Sequence, residues 1–278
     1  MTGTKLKDCA PEDLANAWRA IAAEKPLIFH ITNPVATSLQ ANVCLAVGAS
    51  PLMSQYPEET EELIGLARGF LVNLGSPAEP ALAAVERGMK AAKNTGCFTL
   101  LDPVGYGASR FRVESTDRFL REHSFSIIKG NGGEISLLAG VGGATKGVDV
   151  LSVGDLDRGV LNLARKFDCL VCATGETDCL SDGETLVRVT GGSALLPFLS
   201  GSGCTAGTVM LAATAACGDA AVGALCGLVA MGIASERAEK RCSGSGTFAP
   251  CLIDELHRLK PEDFLSEPRR WSVTSRSL

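Results

Sequence analysis

The segment Leu199-Ser-Gly-Ser-Gly-Cys-Thr-Ala-Gly-Thr208 sets Gly201, Gly203 and Gly207 around a cysteine, just ahead of a run of helix formers from Thr208 to Ala216. A glycine-rich turn feeding a helix N-terminus aims unpaired backbone N–H groups at one point, and the helix dipole adds partial positive charge there. Anions collect at such points, phosphate most readily. Cys204 falls at the start of that helix, a position that lowers thiol pKa values and predicts an acidic sulfur. Small residues here would equally serve tight packing of a helix on a sheet. The segment alone leaves both readings open.

Two other stretches carry chemistry. Asp102 opens Asp-Pro-Val-Gly-Tyr-Gly, so a carboxylate at a strand end is stiffened by Pro103 and followed by two glycines. It could join a metal–water shell, or simply close the loop as an Asx-turn acceptor. Lys129-Gly-Asn-Gly-Gly-Glu134 offers a cation, an amide and a carboxylate around three glycines. Asn131 with Glu134 three residues later also reads as a capping box. Taken with the Gly201–Gly207 loop, these residues supply two carboxylates for Mg²⁺, a lysine for phosphate and an amide nest for transferred charge. Phosphoryl transfer uses those parts.

Several alternatives are missing. There is no G-x-x-x-x-G-K-[ST], the spacing Gly201-x-Gly203-x-x-x-Gly207 does not fit G-x-G-x-x-G, and no G-x-S-x-G elbow occurs. The three histidines, His30, His123 and His257, stand in no metal-ligand spacing, and His30 reads as a core or pocket residue within a strand. Cys169 and Cys172 form a C-x-x-C inside an apolar strand-like run with no second pair, which predicts core packing rather than a zinc site.

Such residues need a scaffold to converge. Apolar runs at Leu27–Thr32, Pro51–Ser54, Phe70–Leu74, Phe98–Leu101, Ser126–Ile128 and Leu170–Ala173 read as short buried strands. Helix-like segments lie between them at Val35–Val47, Pro57–Ala67, Glu79–Lys93, Glu114–Glu122, Gly133–Leu138 and Leu156–Lys166. This alternation predicts an α/β chain with a mostly parallel sheet flanked by helices, one domain spanning 1–278. Asp182-Gly183 signals a hairpin, hence an antiparallel edge near 178–190. Pro11 opens a peripheral N-terminal helix over 11–24, and 260–278 reads as a peripheral tail in which Arg269-Arg270-Trp271 is solvated. In open parallel sheets, ligands bind at the carboxyl ends of strands. That rule selects Asn33, Met53, Asn73, Asp102, Asn131, Glu134 and Thr174.

The chain has 278 residues, 46% of them hydrophobic, and a net charge of −5. No basic stripe is visible, which argues against nucleic acid as a partner. No apolar stretch is long enough for a membrane span. The most apolar region, Ala220–Ala234, is interrupted by Gly223, Gly227 and Gly232 and reads as a buried helix. Residues 1–12 have no apolar h-region, and eleven scattered cysteines favour a reducing, cytoplasmic setting.

Seven motifs occur in order: Phe29-His-Ile-Thr-Asn33, Gly48-Ala-Ser-Pro-Leu-Met-Ser54, Leu71-Val-Asn-Leu-Gly75, Leu101-Asp-Pro-Val-Gly-Tyr-Gly-Ala108, Ile127-Ile-Lys-Gly-Asn-Gly-Gly-Glu-Ile135, Ala173-Thr-Gly-Glu-Thr-Asp178 and Gly201-Ser-Gly-Cys204. With the late Gly244-Ser-Gly-Thr-Phe-Ala-Pro250, this set resembles hydroxyethylthiazole kinase, the thiamin-salvage member of the ribokinase-like superfamily. The resemblance spans residues 27 to 258. It implies a three-layer α/β/α ribokinase-like fold. It also implies Mg²⁺-dependent transfer of phosphate from ATP to the alcohol of 4-methyl-5-(2-hydroxyethyl)thiazole, in a homotrimer with active sites at subunit interfaces. Matched motif by motif, it puts Met53, Gly201 and Asn33 on the thiazole. Lys129, Thr174 and Asn131 fall on the nucleotide, Asp102 and Glu134 near the metal, and Ser202, Gly203 and Cys204 in the catalytic segment. Cys204 stands where most ribokinase-like enzymes carry an aspartate base, and thiazole kinases similarly have cysteine there. Lys129 replaces the usual arginine and cannot make its bidentate planar contact, which implies differently shaped phosphate binding. Gly-Ser-Gly-Cys replaces the family's Gly-Thr-Gly-Cys, and Ser54-Gln-Tyr-Pro57 follows Met53 where small residues are more usual. The alternatives are a ribokinase-like kinase of another heterocyclic alcohol such as hydroxymethylpyrimidine, a nucleotide-dependent hydratase-type relative, or a non-catalytic nucleotide- or thiazole-binding sensor.

Overall fold

The computed structural model describes residues 4–146, 149–266 and 270–275. A helix α1 (Pro11–Glu24) leads into the alternating units β1 (Leu27–Ile31), α2 (Thr37–Ala46), β2 (Ser50–Met53), α3 (Pro57–Leu66), β3 (Gly69–Asn73), α4 (Glu79–Thr95), β4 (Phe98–Asp102), α5 (Arg110–Glu122), β5 (Ile127–Asn131) and α6 (Gly132–Ala139). A small hairpin, β6 (Gly143–Lys146) and β7 (Asp149–Val153), precedes α7 (Leu156–Phe167) and β8 (Leu170–Thr174). Then come β9 (Thr177–Ser181), β10 (Thr185–Thr190), α8 (Ser202–Cys217), α9 (Ala220–Glu239), α10 (Ser245–Arg258), α11 (Asp263–Ser266) and β11 (Trp271–Ser275).

Nine strands form one sheet in the order β11-β10-β9-β8-β5-β4-β3-β1-β2, parallel from β8 to β2 and antiparallel from β8 to β11. The expected edge hairpin turns at Asp182-Gly183. Gly183 takes a φ of +90°, and Asp182 Oδ1 accepts from the Glu184 and Thr185 amides at 3.0 and 2.7 Å. The chain steps from β1 to β2 in one direction, then crosses β1 to lay β3 on its other side. The connections that leave the carboxyl ends of β1 and β3 therefore diverge, which makes this a topological switch point, the place where such sheets bind ligands.

Strand side chains alternate between two cores. Phe70, Val72 and Leu101 face the layer of α3, α4, α5 and α7, while Leu71 and Leu100 face α1, α8, α9 and α10. Fully burying one such side chain contributes about 1.5–3 kcal/mol. Glycines set how closely the second layer packs. A Cβ on Gly223 or Gly227 of α9 would stand 2.3 or 2.5 Å from the Cα of Thr214 or Met210 in α8. Among the described residues one helix, α9, is long and apolar enough to cross a membrane, and it is mostly buried in this layer.

Two expectations change. Helix α5 starts at Arg110, not Glu114, because Ser109 caps it by accepting from the Arg112 amide at 3.3 Å. The C-terminal segment is not solvated. Trp271 is 6% exposed and begins β11, the outermost strand, while Arg270 pairs with Glu236 at 2.6 Å. Arg269 lies outside the described residues. Helix α1 buries Leu14, Trp18 and Ile21, the face its pattern marks as apolar, and Trp18 Nε1 donates to Leu259 O at 2.9 Å.

Candidate active site

Polar side chains accumulate where β1, β3, β4 and β5 end. Strand β4 closes on Asp102, which is 1% exposed, and β5 carries Lys129 beside it. Lys129 Nζ donates to Asp102 Oδ2 at 3.2 Å. The same oxygen accepts from Asn73 Nδ2 at 3.0 Å, while Asp102 Oδ1 is buried with no partner among the described residues. Asn73 ends β3 and reaches further. Its Nδ2 lies 3.2 Å from Cys204 Sγ, and its Oδ1 accepts from Asn33 Nδ2 and the Gly75 amide, both at 2.9 Å. Asn33 Oδ1 in turn accepts from the Ala36 amide at 3.0 Å. The Asn33–Asn73 contact spans the switch point between β1 and β3. A Cβ at position 75 would lie 2.7 Å from Asn33 Nδ2, so Asn33 would have to move.

Helix α8 crosses the sheet so that its N-terminus meets this cluster. The cradle differs from expectation in one residue. The Ser202 amide donates to Leu199 O at 3.1 Å and its Oγ to Leu196 O at 2.9 Å, so Ser202 is committed to its own loop. The amides of Gly203 and Cys204 have no partner among the described residues. The glycines also separate cradle from packing. Gly201 takes a φ of +85° as the N-cap. A Cβ on Gly203 would meet only Lys129 Nζ, at 3.5 Å, and one on Gly207 would make ordinary contacts at 3.5 Å or more. Tight packing therefore does not require Gly203 or Gly207.

Glu134 joins from α6. The capping box is real, since Asn131 Oδ1 accepts from the Glu134 amide at 2.9 Å and Glu134 Oε2 from the Asn131 amide at 2.8 Å. It does not exhaust the carboxylate. Oε1 accepts from the Gly105 amide at 2.7 Å, which ties Glu134 to the loop after Asp102. Thr174 ends β8 beside Asn131, and its Oγ1 donates to Gly130 O at 3.2 Å. Met53 ends the edge strand β2, paired in register with His30, and no hydrogen bond joins it to the cluster. His30 is a satisfied pocket residue. Nδ1 donates to Ile28 O at 2.9 Å and Nε2 accepts from Thr208 Oγ1 at 3.2 Å. Cys169, just before β8, and Cys172, within it, are buried free thiols, as core residues are.

Charge is concentrated and dry. Burial alone would discharge Lys129, but the Asp102 carboxylate, with Glu134, holds its ammonium protonated and its pKa above the ordinary value. Burial pushes Asp102 up, against the pull of Lys129 and Asn73. Burial and the nearby Asp102 charge push Glu134 up to about 7. Cys204 reverses the sequence expectation. Burial, then the Asp102 charge, push its thiol up to about 11 despite hydrogen bonds from Asn73 and Asn33, so the sulfur is protonated at neutral pH. The helix start cannot acidify a sulfur that has lost so much of its water.

The arrangement brings a protonated lysine, two helix-start amides, two buried acids and a thiol to one crevice. The model of the hydroxyethylthiazole kinase family matches residues 18–262. The chain belongs to the hydroxyethylthiazole kinase family. The chain is 40% identical over 260 residues to the hydroxyethylthiazole kinase of Caldivirga maquilingensis, covering 94% of this chain and 96% of that one. The corresponding protein of Moorella thermoacetica is 37% identical over 253 residues, covering 91% and 95%. A solved hydroxyethylthiazole kinase structure from Pyrococcus horikoshii superposes with a TM-score of 0.85 at 30% identity, covering 94% of this chain and 99% of that one. A Staphylococcus aureus pyridoxal kinase bound to ADP superposes with a TM-score of 0.61 at 12% identity, covering 76% of this chain and 88% of that one, a likeness of fold alone. Membership in the family accounts for the ribokinase-like sheet.

Two residues that touch the cluster gain a specific contact only from the structure. Asn73 is among the strand-end residues that the sequence selects, and its signal is a polar residue closing an apolar strand before Gly75. Gln40 is fully buried in α2, where Nε2 donates to Cys204 O at 3.1 Å and to Thr208 Oγ1 at 3.2 Å. A lone glutamine in a weakly patterned helix gives no sequence signal.

Proposed function

We propose that this protein transfers the terminal phosphoryl group of ATP to the hydroxyethyl group of 4-methyl-5-(2-hydroxyethyl)thiazole, a thiamin-salvage step. One observation carries the site assignment. The unpaired Gly203 and Cys204 amides, Lys129 Nζ and the buried acid Asp102 converge on one crevice at the strand ends. Phosphoryl transfer needs positioning and electrostatic stabilisation more than covalent chemistry. The two amides and the Lys129 ammonium stabilise charge on the transferred group. Asn33 and Asn73 orient Cys204, and Cys204 hydrogen-bonds the substrate hydroxyl. Its thiol is too weakly acidic to serve as a standing base. In a loose transition state the alcohol keeps its proton until bond formation is advanced, so none is required.

Asp102 and Glu134 suit Mg²⁺. They are hard oxygen donors, and the unpartnered Asp102 Oδ1 is a buried acceptor that a cation or its water would satisfy. Held there, the ion would supply charge neutralisation on the phosphates. Asn131 and Thr174 line the nucleotide side with Lys129, and Met53, Gly201 and Asn33 line the thiazole side.

We take residues 1–278 as one kinase domain, working as a homotrimer. Exposed Val35, Tyr56 and Phe198 flank the segments carrying Asn33, Met53 and Gly201. An apolar ring needs a wall there, and a neighbouring subunit would supply it. The unpaired cysteines favour a reducing cytoplasm. An ADP-release assay over a panel of heterocyclic alcohols tests the function. Turnover selective for the thiazole supports it, turnover selective for hydroxymethylpyrimidine replaces the substrate, and binding without turnover makes the protein a sensor. Light scattering tests the trimer.

A further inference from the structure

Outside the cluster, one cation holds its loops together. Arg112, in the first turn of α5, donates from Nη1 to Leu74 O at 2.6 Å and to Val104 O at 2.8 Å, and from Nη2 to Gly75 O at 2.7 Å. Leu74 and Gly75 directly follow Asn73, and Val104 lies two residues past Asp102. One planar guanidinium thus binds both loops that leave the carboxyl ends of β3 and β4. The loops have few other ties to each other, chiefly the Leu74 amide to Asp102 O at 3.0 Å and the Asn73–Asp102 side-chain bond. Gly105 lies under the guanidinium with a φ of +74°, where a Cβ would stand 3.3 Å from Arg112. The amide of Gly105 is the one that fixes Glu134 Oε1.

We infer that Arg112 is a positioning residue for phosphoryl transfer: by clamping the Leu74–Gly75 and Val104–Gly105 segments it sets Asn73, Asp102 and Glu134 in register. A lysine could carry the charge but not span three carbonyls, since only the planar fork presents several donors in fixed directions. Two neutral loops alone would leave carbonyls at 74, 75 and 104 to water and let the acids drift. Displacement by about 1 Å at a phosphoryl-transfer site can cost on the order of 100-fold in rate. This inference rests on the proposed active site, so its test includes a readout that needs no substrate.

The experiment compares Arg112→Ala and Arg112→Lys with the unmodified protein. Hydrogen exchange, read without ligands, should speed up at residues 73–75 and 102–106 in both variants while the sheet core stays protected. With Mg·ATP and the thiazole, kcat of Arg112→Ala should fall on the order of 100-fold while both KM values move far less. Millimolar guanidinium should restore turnover to Arg112→Ala and leave the unmodified protein unchanged. If Arg112→Ala does not fold, Arg112→Lys carries the test, with kcat expected clearly below the unmodified protein at an unfolding midpoint above the assay temperature. Unchanged exchange in the two segments overturns the clamp, whatever the substrate proves to be. A folded variant with undiminished kcat, or a loss in Arg112→Ala that guanidinium leaves untouched, overturns the positioning role.

Discussion

Replacing Lys129 with methionine strands the Asp102 carboxylate. The two side chains are 3% and 1% exposed and 3.2 Å apart. Breaking so buried a pair by removing one partner costs about 3–5 kcal/mol, because the remaining charge keeps its desolvation and loses its compensation. The acid has one relief, which is to take a proton. Burial already raises its pKa, and losing Lys129 raises it further. The folded variant then holds a proton that the unfolded chain releases. Its stability should fall as pH rises from about 4, by up to about 1.4 kcal/mol per unit, until the folded-state pKa is passed. Lys129→Met/Asp102→Asn removes both charges and should recover most of the loss, since a buried pair replaced as a whole is often nearly neutral. Urea unfolding of the two single variants and the double variant at pH 5 and pH 8, with a chelator present, reads this directly. A single-variant loss under about 1 kcal/mol at pH 8, or a double variant that loses the sum of the singles, would refute the reasoning.

Other outcomes follow from the same geometry. Cys204→Asp should stay active and Cys204→Ala should keep part of its turnover. Loss of all turnover in both, with folding intact, would show that a thiol is essential. Alkylation of Cys204 should be slow at pH 7 and accelerate toward pH 11, in line with its raised pKa; fast modification at pH 7 would contradict that. His30 is buried with its pKa lowered to about 4 by desolvation. Between about 6.5 and 4 the unfolded chain binds a proton that the folded one does not, so stability should drop with falling pH by up to about 1.4 kcal/mol per unit. His30→Gln should flatten that slope in acid-unfolding curves, and an unchanged slope would exclude His30 as its source. Gly75→Ala forces a Cβ to within 2.7 Å of Asn33 Nδ2 and should lower kcat on the order of ten- to 100-fold; a folded variant with full kcat would show that the Asn33–Asn73 contact is dispensable.

The alternating strands and helices were legible because buried parallel strands are apolar on both faces, and each expected run from Leu27 to Ala173 became a strand. The hairpin was legible from Asp182-Gly183. Strand β11 was not, because a short strand after Arg269-Arg270 looks like a basic tail. It is held in place by pairing with β10 and by the Arg270–Glu236 contact, both long-range. The β6–β7 hairpin lacks an Asn-Gly or Asp-Gly turn. Within the site, glycine spacing and strand-end carboxylates brought Asp102, Lys129, Glu134 and Gly203 into view. Sequence could not show which amides stay unpaired. Ser202 and Gly203 read alike until Leu199 O takes the first. Nor could it show the depth of Cys204, where burial outweighs the helix start. Arg112 was invisible because its work is done through main-chain carbonyls that any residue carries.

In the proposed mechanism the Gly203 and Cys204 amides, with Lys129, hold the phosphoryl group in flight. A crystal structure with ADP, aluminium fluoride, Mg²⁺ and hydroxyethylthiazole measures this directly. Fluoride ligands are expected within hydrogen-bond distance of both amides and of Lys129 Nζ, with Asp102 and Glu134 on the metal side. A fluoride complex lodged elsewhere, with those two amides still unpaired, would contradict it.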